Sequence, residues 1–386
     1  MGNEINCACF NSLKALLENY SSVYERRLVS KDIFNNKPIV IYGAGKYGKI
    51  VYQYLTNAAK KSPICFADQA IINENSFINE IPVMTLSSII NKFGKDINII
   101  ITPKILYKNK EKLDQFLFQF HTIGLFNLYF INPAECDAWN MIYHISKDEC
   151  LNIITMLRDN ISKVHYYGYI RDVLQCESAE NKFISDSEIY FPEDLFSITE
   201  LDFLVDCGAY IGDTIVQIIR KYPRLRGVAS FEPTPAFFDQ LQSVTAGILL
   251  PIDFKLFNMA VGSKNGIVNM AIVPSRGANS IQREGNLSVQ MCTLDDTVFR
   301  FHPTYIKMDI EGSELSALKG AAKIIRELTP ILAICIYHKP EDLFEIPLFI
   351  INCLPTYSLF VRKYGNKPNN DLILYAVPPE RLVLNN

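Results

Sequence analysis

Four residues of the stretch "DCGAYIGD", namely Asp206, Gly208, Gly212 and Asp213, have the types and spacing to hold a ligand. An apolar run precedes them, so the stretch reads as a strand passing through a glycine turn into a helix. Glycine there lets the backbone approach a ligand where a side chain would collide, and it tolerates positive φ. Two carboxylates beside the turn repel a pyrophosphate and attract an amino group or a sulfonium. Glu232 ends the next apolar run, where a carboxylate can accept hydrogen bonds from both hydroxyls of a ribose. Asn258 ends the third run, and Met259 beside it offers an apolar flank to an adenine. This order of groups fits S-adenosylmethionine better than a dinucleotide.

Methyl transfer from a sulfonium is an in-line displacement, so positioning an acceptor oxygen behind the methyl supplies much of the catalysis. A hydroxyl acceptor must also lose its proton as the new bond forms, to a base or with help from a metal. Lys307, Asp309, Glu311 and Glu314 cluster at the end of one later strand, and His338 at the end of the next. Lys307, Asp309 and Glu311 share one strand face by the two-residue period. Asp309 reads as a wall of the methyl site and His338 as the base, with Lys307 as the third catalytic candidate. The blander readings are a surface cap for His338, a turn-orienting role for Glu311 and a helix N-terminal role for Glu314. Asp309, Glu311, His338 and Asp342 have donors that can ligate a divalent cation, although their spacing does not demand one. The segment "PSRGANSIQREG" fits either an ordinary hairpin or an acceptor lid in which Arg276 and Arg283 grip an acidic group.

An earlier stretch, "IYGAGKYGKI", repeats the strand, glycine turn and helix plan. Gly43, Gly45 and Gly48 satisfy GxGxxG, and Asp68 follows Gly48 by twenty residues, the context a dinucleotide fingerprint requires. NAD, a nucleotide or a nucleotide sugar would each explain it. So would a turn kept for packing that binds nothing.

These turns need elements to carry them. Residues 10 to 30 have helical apolar spacing. Strands are expected at "PIVIY", "SPICFAD", "DINIIIT" and "IGLFNLYFI", and "IPVMTLSSII" reads as a turn and a helix capped by Thr85. A less regular stretch holds an aromatic helix around Trp139 to Leu157. A second alternating series follows, with strands at Phe203 to Cys207, "GVASFEPTP", "FKLFNMAVG", "TYIKMDIEG" and "PILAICIYH". A helix is expected over Ser313 to Glu327. "IVNMAIVP" with "VQMCTLDD", and "YSLFVRKY" with "DLILYAVP", read as antiparallel pairs. Alternation of this kind predicts an α/β protein with two Rossmann-like parallel-sheet domains. The expected organisation is a helical segment over 1–36, a Rossmann-like domain over 37–135, a helical connector over 136–189 and a second α/β domain over 190–386.

Composition narrows the partners. The 386 residues are 49% hydrophobic and carry a net charge of -3, which suits large cores and gives no pull toward nucleic acid. Ten cysteines include no CxxC pair, a usage that fits a reducing compartment rather than a disulfide framework or zinc site. The N-terminus lacks a signal-peptide pattern and no apolar run approaches a membrane span, so a cytoplasmic protein is expected. The apolar stripe of the N-terminal helix also suits pairing with a second copy.

The stretches "YFPEDLFSITELDFLVDCGAYIGDTI", "FEPTP", "FNMAVG", "TLDD" and "YIKMDIEGSELSALKGA" resemble, in order, the FkbM family of S-adenosylmethionine-dependent methyltransferases. The resemblance covers roughly Tyr190 to Pro378, about half the chain. It implies a class I methyltransferase fold and methylation of a hydroxyl oxygen, usually on a sugar or natural product. Matching the motifs places cofactor contacts at Asp206, Gly208, Gly212, Asp213, Glu232 and Asn258. "VIYGAGKYGKIVYQYL" with "IPVMTLSSI" resembles the N-terminal domain of PglD-type sugar acyltransferases, which implies a nucleotide-sugar site at the first turn. Two competing functions follow: a non-catalytic nucleotide-sugar binder or scaffold with a degenerate methyltransferase domain, and an NAD-dependent oxidoreductase built on the first turn.

Overall fold

The computed structural model describes residues 9–18, 37–57, 60–68, 76–102, 110–130, 133–176, 183–271, 280–281 and 287–383. By its internal contacts the chain divides into two compact units. One comprises Ala15–His144 and Arg171–Glu177, the other Met1–Lys14, Ile145–Ile170 and Ser178–Asn386. The helix expected over residues 10 to 30 is seen at 9–18, and its remainder lies outside the described residues.

The first unit holds strands β1 (Ile39–Tyr42), β2 (Cys65–Ala67), β3 (Phe77–Ile78), β4 (Ile81–Met84), β5 (Asn98–Ile101) and β6 (Leu128–Phe130), in the order β3-β4-β2-β1-β5-β6. All pairings are parallel except the β3–β4 hairpin. "IPVM", expected as a turn, is strand β4, because the hairpin from β3 delivers it to the edge of β2. Thr85 caps the following helix as expected, its side chain accepting from the Ser88 N–H. The core includes Val40, Cys65, Ile99 and Ile101 of the strands, against which Phe116 and Phe120 pack.

The second unit is built on β7 (Phe203–Cys207), β8 (Gly227–Phe231), β9 (Asp253–Phe257), β14 (Tyr305–Met308), β15 (Ile331–Cys335), β16 (Ser358–Lys363) and β17 (Leu372–Val377). Their order is β16-β17-β15-β14-β7-β8-β9, with β17 antiparallel to both its neighbours and the other pairings parallel. Strands β7, β8, β14 and β15 are buried along their whole length, as their near-continuous apolar sequences require. Strand order reverses between β7 and β14, so their carboxyl ends open the crevice where such sheets take ligands. A small sheet of β10 (Ala260–Val261), β11 (Gly266–Ala271), β12 (Ser280–Ile281) and β13 (Leu287–Cys292) contains the expected antiparallel β11–β13 pair.

Three expected elements are divided. "FKLFNMAVG" splits into β9 and β10 because Asn258 turns the chain, its side-chain amide donating to the Glu232 carbonyl at 2.8 Å. The helix expected over Ser313 to Glu327 is Glu314–Lys319 and Ala322–Leu328. It breaks at Gly320, where an added Cβ would lie 2.0 Å from the Gly262 carbonyl oxygen. The aromatic helix becomes Pro133–His144 and Lys147–Met156, the second capped by Ser146. Apart from residues 280–281, the "PSRGANSIQREG" segment lies outside the described residues, and Arg276 and Arg283 with it.

Candidate active site

A cavity of about 240 Å³ lies at the ends of β7, β8 and β14. Gly208, Asp213, Glu232, Lys307 and Asp309 line it, joined by Tyr190, Tyr210, Glu311 and Thr234. Gly208 has φ 82°, and an added Cβ would lie 1.9 Å from the Asp309 carbonyl oxygen, so the close approach of β7 and β14 admits only glycine. Three residues of the lining hold left-handed conformations without being glycine: Tyr190 (φ 66°), Tyr210 (φ 47°) and Glu311 (φ 56°). Each costs about 1–3 kcal/mol, strain that persists where surrounding structure fixes a ligand site.

The expected site residues sort into two layers. Asp206, Gly212, Asn258 and His338 do not line the cavity. Each acts on one that does. Asp206 is paired with Lys307, and Gly212 (φ 89°) starts the helix that presents Asp213. Asn258 grips the backbone of Glu232, and His338 faces Asp309. Asp206, Gly212 and Asn258, expected as cofactor contacts, thus stand just behind the residues that line the cavity.

Glu232 is buried, and its two carboxylate oxygens accept from the Tyr210 N–H at 3.1 Å and the Thr234 N–H at 2.8 Å. Burial pushes its carboxyl above the ordinary range, and those N–H donors only partly offset the shift. The Thr234 hydroxyl is a third donor to this carboxylate, whose roughly four acceptor sites leave room for one more.

Lys307 stands opposite Asp206 in the β7–β14 register, which places their side chains on one sheet face. Its ammonium donates to Asp206 Oδ1 and to the Gly208 carbonyl, both at 2.9 Å, and lies 5.1 Å from the centre of the Tyr190 ring. Burial opposes its charge, but Asp206 and Asp309 hold it well above the ordinary lysine range. Lys307 is thus a fixed cation that ties down the glycine turn and accepts no proton.

Asp309 Oδ2 accepts from the Tyr190 hydroxyl at 2.8 Å, and Oδ1 from the Tyr337 hydroxyl at 3.3 Å. Burial would raise its carboxyl, but Lys307, His338 and the Tyr190 hydroxyl outweigh that and hold it below the usual range. His338 Nδ1 donates to Glu314 Oε1 at 2.8 Å, while Nε2 lies 3.4 Å from Asp309 Oδ1 and 3.7 Å from Glu311 Oε2. Burial would lower the imidazole, but Glu314, Asp309 and Glu311 lift it to about 9. A general base must be neutral before it acts, so the surroundings of His338 oppose the base role expected of it. Asp342 is also buried, and its carboxylate accepts from the Lys339 N–H at 3.1 Å. Burial and Glu314 push it to about 7. The compact donor group is Asp309, Glu314 and His338, whose ligand atoms lie within 4.8 Å of one another; it includes neither Glu311 nor Asp342, although Glu311 Oε2 lies 3.7 Å from His338 Nε2.

The first glycine turn shares the backbone plan. Gly43 has φ 103°, and a Cβ on Gly48 would lie 1.9 Å from the Gly43 carbonyl oxygen. Packing accounts for both. A Cβ on Gly45 would meet nothing within 4 Å. Asp68 Oδ2 accepts from the Ala44 N–H at 2.9 Å, so this carboxylate braces the turn.

Residues 206–367 match the family model described as the Methyltransferase FkbM domain. The chain is 26% identical over 141 residues to the hexuronic acid methyltransferase AglP of Haloferax volcanii, covering 34% of this chain and 55% of that protein. It is 24% identical over 164 residues to the methyltransferase sdnD of Sordaria araneosa, covering 33% of this chain and 63% of that protein. The chain thus spans between half and two thirds of the length of these curated relatives. The crystal structure of Methyltransferase FkbM from Methylobacillus flagellatus KT shares the fold at TM-score 0.57 and 21% identity, over 96% of this chain and 100% of that one. Fold and site define an α/β protein whose second unit has a methyltransferase fold. The FkbM match falls within that second unit.

The cavity's chemistry suits the cofactor this family implies. Among the described residues four carboxylates (Asp213, Glu232, Asp309 and Glu311) face it, and the one lysine that does is already paired with Asp206. That balance attracts a sulfonium and an amino group and repels a pyrophosphate. Met259, Val261 and Met270 supply an apolar side for a flat ring. Sequence reasoning missed Tyr190 and Tyr210 as site residues. Tyr210 sits inside the quoted glycine turn, and its aromatic type was a usable signal. Tyr190 enters from the segment before β7, which no local pattern places at the cavity.

Proposed function

We propose that the protein transfers a methyl group from S-adenosylmethionine to a hydroxyl oxygen of a sugar or glycan. The carboxylate-rich cavity at the β7, β8 and β14 ends, with its lysine neutralised by Asp206, carries this reading. The bound cofactor supplies an electrophilic methyl on a positive sulfur. Glu232 accepts a ribose hydroxyl on its remaining acceptor site, and Asp213 attracts the amino end. The acceptor oxygen lies beside Asp309, forms the new O–CH3 bond as the S–CH3 bond breaks, and the electron pair stays on sulfur. The hydroxyl proton passes to the Asp309 carboxylate, which Lys307 and His338 keep ionised beforehand. A sugar acceptor is supported by the hexuronic acid substrate in the name of one relative.

Incubation with methyl-labelled S-adenosylmethionine and a panel of sugars and nucleotide sugars tests this. Label should appear on a hydroxyl oxygen and vanish in Asp309→Ala. Label on nitrogen or a carboxylate would reject the oxygen assignment, and no label with cofactor bound would favour the scaffold alternative.

A second reading concerns the first unit. Gly45 has no packing reason to be glycine, which supports a ligand beside that turn. A nucleotide or nucleotide sugar is the proposed occupant, in line with the PglD-type resemblance. Titration with a UDP-sugar and with NAD, each repeated on Gly45→Val, decides between it, a dinucleotide and no ligand.

A further inference from the structure

His338 is placed unlike either a surface cap or a base. Its side chain is 8% exposed, and Nδ1 is held by Glu314, which is fully buried. A carboxylate can only accept, so the Nδ1 proton is fixed and Nε2 points to the other side of the ring. There it meets Asp309 Oδ1 at 3.4 Å and Glu311 Oε2 at 3.7 Å, both beyond a normal hydrogen bond. Nε2 is buried and has no hydrogen-bond partner among the described residues. An imidazole so near two carboxylates would ordinarily close on one of them.

We propose that Asp309, Glu311 and His338 form a divalent-cation site on the cavity wall, with Glu314 as the residue that orients the imidazole. Donors bound about 2.0–2.2 Å from a common ion lie about 3.0–3.6 Å from one another, and the two separations from Nε2, 3.4 Å to Asp309 and 3.7 Å to Glu311, are close to that range. Metal-bound histidines regularly donate their other ring N–H to a carboxylate, the role Glu314 plays. Mixed imidazole and carboxylate donors suit a first-row ion such as Mn2+. Asp309 and Glu311 line the cavity and are partly exposed, so positions remain open for an acceptor oxygen.

The role of the ion rests on the methyl-transfer reading, whereas its binding does not. A sugar hydroxyl is a far weaker acid than the Asp309 carboxyl, so Asp309 alone is a poor match as its proton acceptor. An ion touching the hydroxyl oxygen would acidify it and narrow that mismatch.

The full-length protein, stripped with EDTA and titrated with Mn2+, provides the test by paramagnetic resonance and equilibrium dialysis. One Mn2+ per chain is expected. His338→Ala and Glu311→Gln should each weaken it at least about tenfold, and Glu314→Gln about tenfold by freeing the ring. S-adenosylmethionine affinity, measured on the same samples, should change little in Glu314→Gln, whose side chain lies outside the cavity lining. Failure of the folded wild type to take up Mn2+, or equal uptake by Glu311→Gln, overturns the site. If His338→Ala fails to fold, the Glu311→Gln comparison still decides. Mn2+ uptake without cofactor binding would reject the methyltransferase reading and leave the ion site standing.

Discussion

The two glycine turns are built alike and equipped differently. Each follows an interior strand of its sheet, and each relies on a glycine whose Cβ would lie 1.9 Å from a carbonyl oxygen: Gly48 against Gly43, Gly208 against Asp309. In each, a carboxylate at the end of the next strand accepts a turn N–H: Asp68 from Ala44, Glu232 from Tyr210. The neighbouring strand makes the difference. Beside the first turn β5 is followed by Thr102, whose hydroxyl donates to the Tyr42 carbonyl at 2.8 Å. Beside the second, β14 brings Lys307 and Asp309. The turn is scaffolding that either unit can use, and the charge that selects a ligand arrives from the next strand.

The sharpest way to break the comparison is Gly208→Ala, which sets a side chain against the β14 backbone at positive φ. It should cost about 3–5 kcal/mol of stability in denaturant unfolding, and Gly48→Ala a similar amount within its own unit. Equal tolerance of both would show that the turns are not rigid. Lys307→Met comes next, since it leaves Asp206 buried and unpaired; about 3–5 kcal/mol should be lost, with no counterpart at the first turn. Glu232→Gln should weaken S-adenosylmethionine binding about tenfold to a hundredfold, the worth of hydrogen bonds to a charged acceptor, while Asp68→Asn leaves it unchanged. Glu232 also predicts a pH effect. Its folded carboxyl titrates above the ordinary range, so it gains a proton before a free carboxylate does as pH falls, and wild-type affinity should drop in that window. An affinity that holds down to the ordinary carboxylate range would show that Glu232 does not contact the cofactor. The smallest effect is Gly45→Ala, within about 0.5 kcal/mol, because its Cβ enters open space.

Period and punctuation carried much of this into the sequence. Buried parallel strands announce themselves as apolar runs, so β1, β5, β7, β8, β14 and β15 were legible, and the acidic ends of β7 and β8 marked the right face of the sheet. Long-range contacts were not legible. Position 320 admits only glycine because of Gly262, far away in sequence, and Asn258 ends β9 through the Glu232 carbonyl. His338 read as a base because its strand-end position is visible in sequence, while the three carboxylates around its ring converge only in the fold. Tyr190 reaches Asp309 across 119 residues of chain, a contact no window of sequence contains.

The most direct test is calorimetric titration of S-adenosylmethionine into the folded wild type, Glu232→Ala and Asp68→Ala, each checked by its thermal melt. One binding event should appear in the wild type, persist in Asp68→Ala and disappear in Glu232→Ala. Binding that survives Glu232→Ala, or is lost in Asp68→Ala, would place the cofactor elsewhere and contradict the assignment of the second turn.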